Sequence, residues 1–189
     1  MMVLQDLIRA ENIAFISGCL LPSLYIAYTD AKTHMVYDRA TFPILLAGLV
    51  SAVYLHNLPD ALLGFAFAFT VLFICAAMGG AGGGDVKYAA GLGMWFGFRE
   101  VQCILLIAAV MGAVWGMAKM ARAGKLKTWA KTFFTGLYLR VFYNVKGAIP
   151  VQKLPDDPNA PAPPEAVPFG TCLAAAAWLT WALCEFIAR

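Results

Sequence analysis

Charge is scarce in this chain. Of its 189 residues, 13% are Asp, Glu, Lys or Arg, while 61% are hydrophobic, and the mean hydropathy is +0.72. A soluble domain carries about 25% charged residues, so the composition excludes an ordinary soluble core and fits a polytopic membrane protein. Paired cysteines are missing too. Cys19, Cys75, Cys103, Cys172 and Cys184 all lie in apolar segments and form no CxxC. That excludes a zinc ribbon or a disulfide framework and leaves small apolar packing residues. Histidine is reduced to His34 and His56, on opposite sides of the predicted membrane, and no HExxH motif occurs, so no metal is expected. The glycine-rich stretch lacks the GK[ST] ending of a phosphate-binding loop, and no G-x-S-x-G serine motif is present. A membrane nuclease or kinase has no support, and no nucleic-acid partner is expected. The first apolar run lacks a basic start and a small-residue cleavage site, and reads as a retained span rather than a signal peptide.

What is present is a series of apolar segments. A helix crossing the hydrocarbon core needs about 20 residues. Six segments qualify as expected spans: Ile13–Tyr28, Phe42–Leu55, Ala61–Met78, Tyr88–Phe98, Val101–Met120 and Val167–Ile187. The fourth is short and spans only if its helix begins near Asp85 or the membrane is thin there. Arg99-Glu100 reads as the turn before the fifth. The fold expected is an all-α membrane helical bundle in one domain, residues 1–189, with an insert at about 121–166. In that insert Leu126, Trp129, Ala130, Phe133, Leu137 and Val141 recur at helical spacing between basic residues, as in an amphipathic helix lying among lipid headgroups. Seven of the ten prolines follow, between Pro150 and Pro168, as a stiff extended linker. The basic residues orient the bundle. With the loops after the first and third spans in the cytoplasm, eleven of the fourteen lie inside and only Arg9, Arg99 and Arg189 outside, as the positive-inside rule prefers. Membrane lipids are the expected surroundings; the residues set no oligomeric state.

The chemistry concentrates at Gly79-Gly80-Ala81-Gly82-Gly83-Gly84-Asp85-Val86-Lys87. An acid at the edge of a bilayer is costly, and is a functional-site hypothesis by default. Gly82, Gly83 and Gly84 bare the backbone, so that another chain can approach. A second acid, Asp30, follows the first span, and alternating spans put it on the same side as Asp85. Two neighbouring carboxyls separate their titrations and share one proton, which suits peptide hydrolysis with one as base and the other as hydrogen-bond donor. Asp85, near a helix N-terminus, is expected to ionise more readily. Asp38 is a third acid on this side. It reads first as a helix cap before the second span, and otherwise as a substrate contact or a rival to Asp30. Lys32 and Lys87 suit lipid headgroups, with Lys87 better placed to shape the site.

These residues resemble the prepilin peptidases, membrane aspartic proteases of the GxGD class. Gly82-Gly83-Gly84-Asp85-Val86-Lys87 matches GxGDxK in full. Asp30 to Asp38 fits the first family motif, with Val36 for Ile and Asp38 for Asn or Asp, while Tyr37 departs from the usual Pro. Pro168-Phe169-Gly170 matches a motif opening the last span. The resemblance implies a bacterial inner-membrane endopeptidase with Asp30 and Asp85 catalytic and with no metal or organic cofactor. Its substrates would be type IV prepilins and pseudopilins, cut between a basic leader and a hydrophobic helix at the cytoplasmic face. The paired CxxC motifs associated with N-methylation in larger members are lacking, so a peptidase-only form is expected. Two alternatives stand beside this. A presenilin-like intramembrane protease would pair Asp38, in Tyr37-Asp38, with Asp85. A non-catalytic assembly or transport protein would use Asp85 in a re-entrant loop.

Overall fold

The computed structural model describes residues 12–78, 80–124, 131, 135 and 166–187, and every described element is helical. Helix α1 runs Asn12–Thr33. Its turn Ile16–Leu20 is π-helical, closed by the Leu21 N–H on the Ile16 carbonyl. Pro22 follows and has no N–H to give the preceding turn, so the wider turn accommodates the loss. Helix α2 is Asp38–Tyr54, α3 is Leu58–Ala77 with Pro59 in its first turn, α4 is Gly83–Arg122 and α5 is Phe169–Ile187.

Among the described residues, four helices are long and apolar enough to cross a membrane: α1, α3, α4 and α5. The six expected spans map onto the helices with two further features. Helix α2 has 17 residues, at the short end of what a span needs. The fourth and fifth expected spans form one 40-residue element, broken at Gly97 (φ 78°, ψ −176°). The break falls at Gly97 rather than at Arg99-Glu100 because that backbone conformation is essentially restricted to glycine. Arg99 and Glu100 are helical. The amides that open the second arm need acceptors, and the Phe98 N–H finds Asp60 Oδ1 at 3.3 Å.

The break folds the element back on itself. Gly84 and Gly112 would be about 40 Å apart in a straight helix. Instead Gly84 packs on Val36, Val36 packs on Gly170, and Phe169 packs on Gly112. Further along, Lys119 Nζ reaches the Ala166 carbonyl at 2.6 Å. The two arms of α4 are therefore antiparallel, and the ends of α1, α4 and the start of α5 gather at one end of the bundle.

Tyr88, Ile26, Ile44, Leu92, Ile104 and Leu173 are fully buried between the helices. Large apolar side chains also face outward: Phe186 is 80% exposed, Val50 69% and Leu106 68%. In water such a surface would be unfavourable; against lipid tails it costs nothing. The bundle is thus a multi-pass membrane protein. Helix α4 ends at Arg122, and Lys131 and Thr135 are helical. The rest of the expected amphipathic helix, and the proline-rich linker up to residue 165, lie outside the described residues.

Candidate active site

Asp30 occupies the last full turn of α1 and is 3% exposed. Its Oδ2 accepts the Thr171 backbone N–H at 2.7 Å and lies 3.1 Å from the Thr171 hydroxyl. The same hydroxyl lies 3.1 Å from the Ala27 carbonyl. Helix α5 starts abruptly after Pro168, whose carbonyl takes the first helical bond, from the Cys172 N–H. The amides of the first turn have no partner within their own helix. Asp30, from a different helix, supplies one, and its charge faces the positive end of the α5 dipole.

Asp85 is 9% exposed and sits in the first turn of α4, three residues after the N-cap Gly82. The Gly82 N–H donates to Asp85 Oδ2 at 3.1 Å, the reach-back half of a capping box. Asp85 Oδ1 is buried and has no hydrogen-bond partner among the described residues. Each acid therefore lies at a helix N-terminus, Asp85 at its own and Asp30 at that of α5. The two acids flank one residue, Val36: Gly84, the neighbour of Asp85, packs on it, and so does Gly170, which also borders the Asp30 carboxyl.

Val36 holds the two motifs together. A Cβ on Gly84 would lie 2.6 Å from the Val36 carbonyl oxygen, and one on Gly170 would lie 2.7 Å from Val36 Cγ2 and 3.2 Å from Asp30 Oδ2. Gly84 thus makes room for a segment of its own chain. A Cβ on Gly82 would sit 3.3 Å from Asp85 Oδ2, whereas one on Gly83 would meet nothing within 4 Å. Of the three expected substrate-side glycines, Gly83 is the one with open space beside it.

Asp38 lies apart from the buried pair. It is the first residue of α2, the N-cap is Tyr37, and no side chain caps the helix. The expected capping role is therefore corrected. The Asp38 carboxylate instead faces Lys87 across the mouth of the bundle. Lys87 Nζ also lies 5.8 Å from the centre of the Phe42 ring, beside an apolar cleft lined by Phe42, Leu45, Phe65 and Phe69. Among the described residues no three His, Cys, Asp or Glu side chains converge as a metal ion would require.

Thr171 was not singled out by its sequence. Its signal lay in its place: the residue after Pro168-Phe169-Gly170, in the first turn of a helix whose amides need an acceptor.

Fold and site together define a polytopic helical membrane protein with two buried carboxyls held at helix N-termini. The chain belongs to the type IV leader peptidase family, whose model matches residues 17–117. That stretch contains Asp30 and Asp85 and stops short of Thr171. The chain is 33% identical over 110 residues to the leader peptidase HopD of Salmonella typhimurium, covering 53% of this chain and 71% of that relative. It is 30% identical over 118 residues to a prepilin leader peptidase/N-methyltransferase of Klebsiella pneumoniae, covering 57% and 52%. The relative of the same description in Escherichia coli is 36% identical over 99 residues, covering 47% and 44%. The chain spans about half the length, or less, of these two peptidase/N-methyltransferase relatives. No solved structure matches it.

Proposed function

We propose that this protein is an aspartic endopeptidase of the bacterial inner membrane that removes the basic leader of type IV prepilins or pseudopilins, with Asp30 and Asp85 as its proton-sharing pair. One observation carries the reading: two buried carboxyls, 55 positions apart in sequence, gather around Val36 at one end of the bundle. The excess of basic residues supports a cytoplasmic position for that end, where a basic leader would lie. The names of the relatives supply the substrate class.

The hydrogen bonds suggest the division of labour. Two donors from Thr171 face Asp30 Oδ2, and hydrogen bonds to a carboxylate favour its charged form. Asp30 is the base in this scheme, the reverse of the order expected from the N-terminal position of Asp85 alone. It takes a proton from water as the hydroxide oxygen bonds to the scissile carbonyl carbon. Asp85, protonated on its unpartnered Oδ1, donates a hydrogen bond to the carbonyl oxygen as negative charge develops there. Collapse of the tetrahedral intermediate breaks the C–N bond, and the proton held by Asp30 passes to the departing amine. The open side of Gly83 gives the substrate backbone a path to the acids.

The presenilin-like alternative asks Asp38 to be the partner of Asp85, but that carboxylate is engaged by Lys87. The test is cleavage of a purified prepilin, leader attached, by the protein in detergent. Asp30→Asn and Asp85→Asn should each lower the rate by at least about 100-fold, the scale of general acid–base catalysis, while still accumulating in the membrane. Asp38→Ala should cleave. Full processing by either Asn variant would sink the assignment.

A further inference from the structure

The Thr171 hydroxyl lies 3.1 Å from two acceptors at once, Asp30 Oδ2 and the Ala27 carbonyl. It has one proton and two lone pairs, so it cannot donate fully to both. That arrangement serves a carboxyl that gains and loses a proton. When Asp30 is ionised, the hydroxyl donates to Oδ2. When Oδ2 carries the proton, the hydroxyl turns to donate to Ala27 and accepts from Asp30. The backbone N–H of Thr171, at 2.7 Å, holds the same oxygen in place and cannot turn. Asp30 is nearly buried, where an unmatched polar group is costly, so a partner that suits both protonation states has a clear use.

We propose that Thr171 is the positioning residue of Asp30, a reversible hydroxyl that keeps Oδ2 hydrogen-bonded through both protonation states while the backbone amide fixes its place. The proposal rests on the catalytic reading of Asp30 for its effect on rate, but not for its effect on Asp30 itself. It adds a member of the site from α5, beyond the stretch matched by the family model.

The experiment uses the full chain in detergent, as Thr171→Val, Thr171→Ser and the unaltered protein. Two quantities are read. The first is the titration of Asp30, followed by infrared difference spectroscopy through the carboxylic C=O stretch that Asp30→Asn abolishes. The second is the pH profile of kcat for cleavage of a purified prepilin with its leader attached. The hydroxyl's bond to the ionised oxygen is stronger than its bond to the protonated one, a difference that corresponds to about one pH unit. Thr171→Val should therefore move the Asp30 midpoint, and the acid limb of kcat, about one unit to higher pH. Thr171→Ser, which keeps the hydroxyl, should restore both. If Thr171→Val does not accumulate, Thr171→Ala replaces it. An Asp30 midpoint unchanged without the hydroxyl overturns the proposal. So does a Ser variant that shifts as far as Val, since the methyl group would then be the part that matters. A shifted midpoint in a protein that cleaves no prepilin would uphold the hydroxyl's role and remove the peptidase reading instead.

Discussion

Lys87 places its ammonium 2.7 Å from both carboxylate oxygens of Asp38, 49 positions away in the chain. The pair ties the first residue of α2 to the first turns of α4, so the segment carrying Val36 is anchored on both flanks: by Asp38 on one side and by the C-terminal turn of α1 on the other. Both side chains are about half exposed, at 46% and 53%. Solvent screens such a pair, and exposed ion pairs contribute about 0–1 kcal/mol. A double-mutant cycle with Asp38→Ala and Lys87→Met should give a coupling in thermal unfolding below about 1 kcal/mol. A much larger coupling would mean the pair is shielded from solvent in the membrane.

The proton-sharing scheme fixes the form of the pH dependence. Below both titrations the two acids are protonated and no base remains; above both they are ionised and no donor remains. The rate should fall on both sides of an optimum, with apparent values belonging to the pair rather than to either acid. A cleavage rate that climbs steadily through the alkaline range would point away from a carboxyl donor.

The glycines are separable by what a side chain would strike. Gly84→Ala pushes a methyl group into the Val36 backbone, and Gly170→Ala pushes one between Val36 and Asp30. Overpacking of this kind costs about 1–3 kcal/mol, so both variants should unfold at lower temperature and lose activity. Gly83→Ala meets no neighbouring atom and should keep the parent stability. If Gly83→Ala also keeps full activity toward prepilin, the substrate does not use that opening.

At the fold-back, Gly97→Ala requires an alanine at φ 78°, where the same site also lies against the Asp60 carboxylate. This should be the most damaging single glycine change, read as loss of a monodisperse peak in size-exclusion chromatography. Asp60→Ala removes only the acceptor for the Phe98 N–H, and should cost about 0.5–2 kcal/mol, as the loss of a helix cap does.

Much of this was legible in the residues. Scarce charge and long apolar runs are enough to specify a helical membrane bundle. A costly acid in a glycine motif is enough to single out Asp85, with Asp30 on the same side by alternation. The structure adds what spacing does not encode. Residues separated by 141 positions, Asp30 and Thr171, meet because α5 offers free amides and α1 ends beside them. Asp38 read as a cap because acids before helices usually are; a lysine from another helix claimed it. The position of the break at Gly97 was missed because polar Arg99-Glu100 looked like a turn. In fact the backbone dihedral, which only glycine readily adopts, decides where the chain reverses.

The fold-back also has a mechanical consequence. From Gly83 to Phe96 the first arm of α4 rises only about 21 Å, against a hydrocarbon layer of about 30 Å. Tyr88, Ala89, Ala90, Leu92 and Met94 are buried along it, so neighbouring helices rather than lipid tails meet its short length. The end of α4 that carries Asp85 can therefore stop short of a full membrane crossing without forcing the surrounding lipid to follow it.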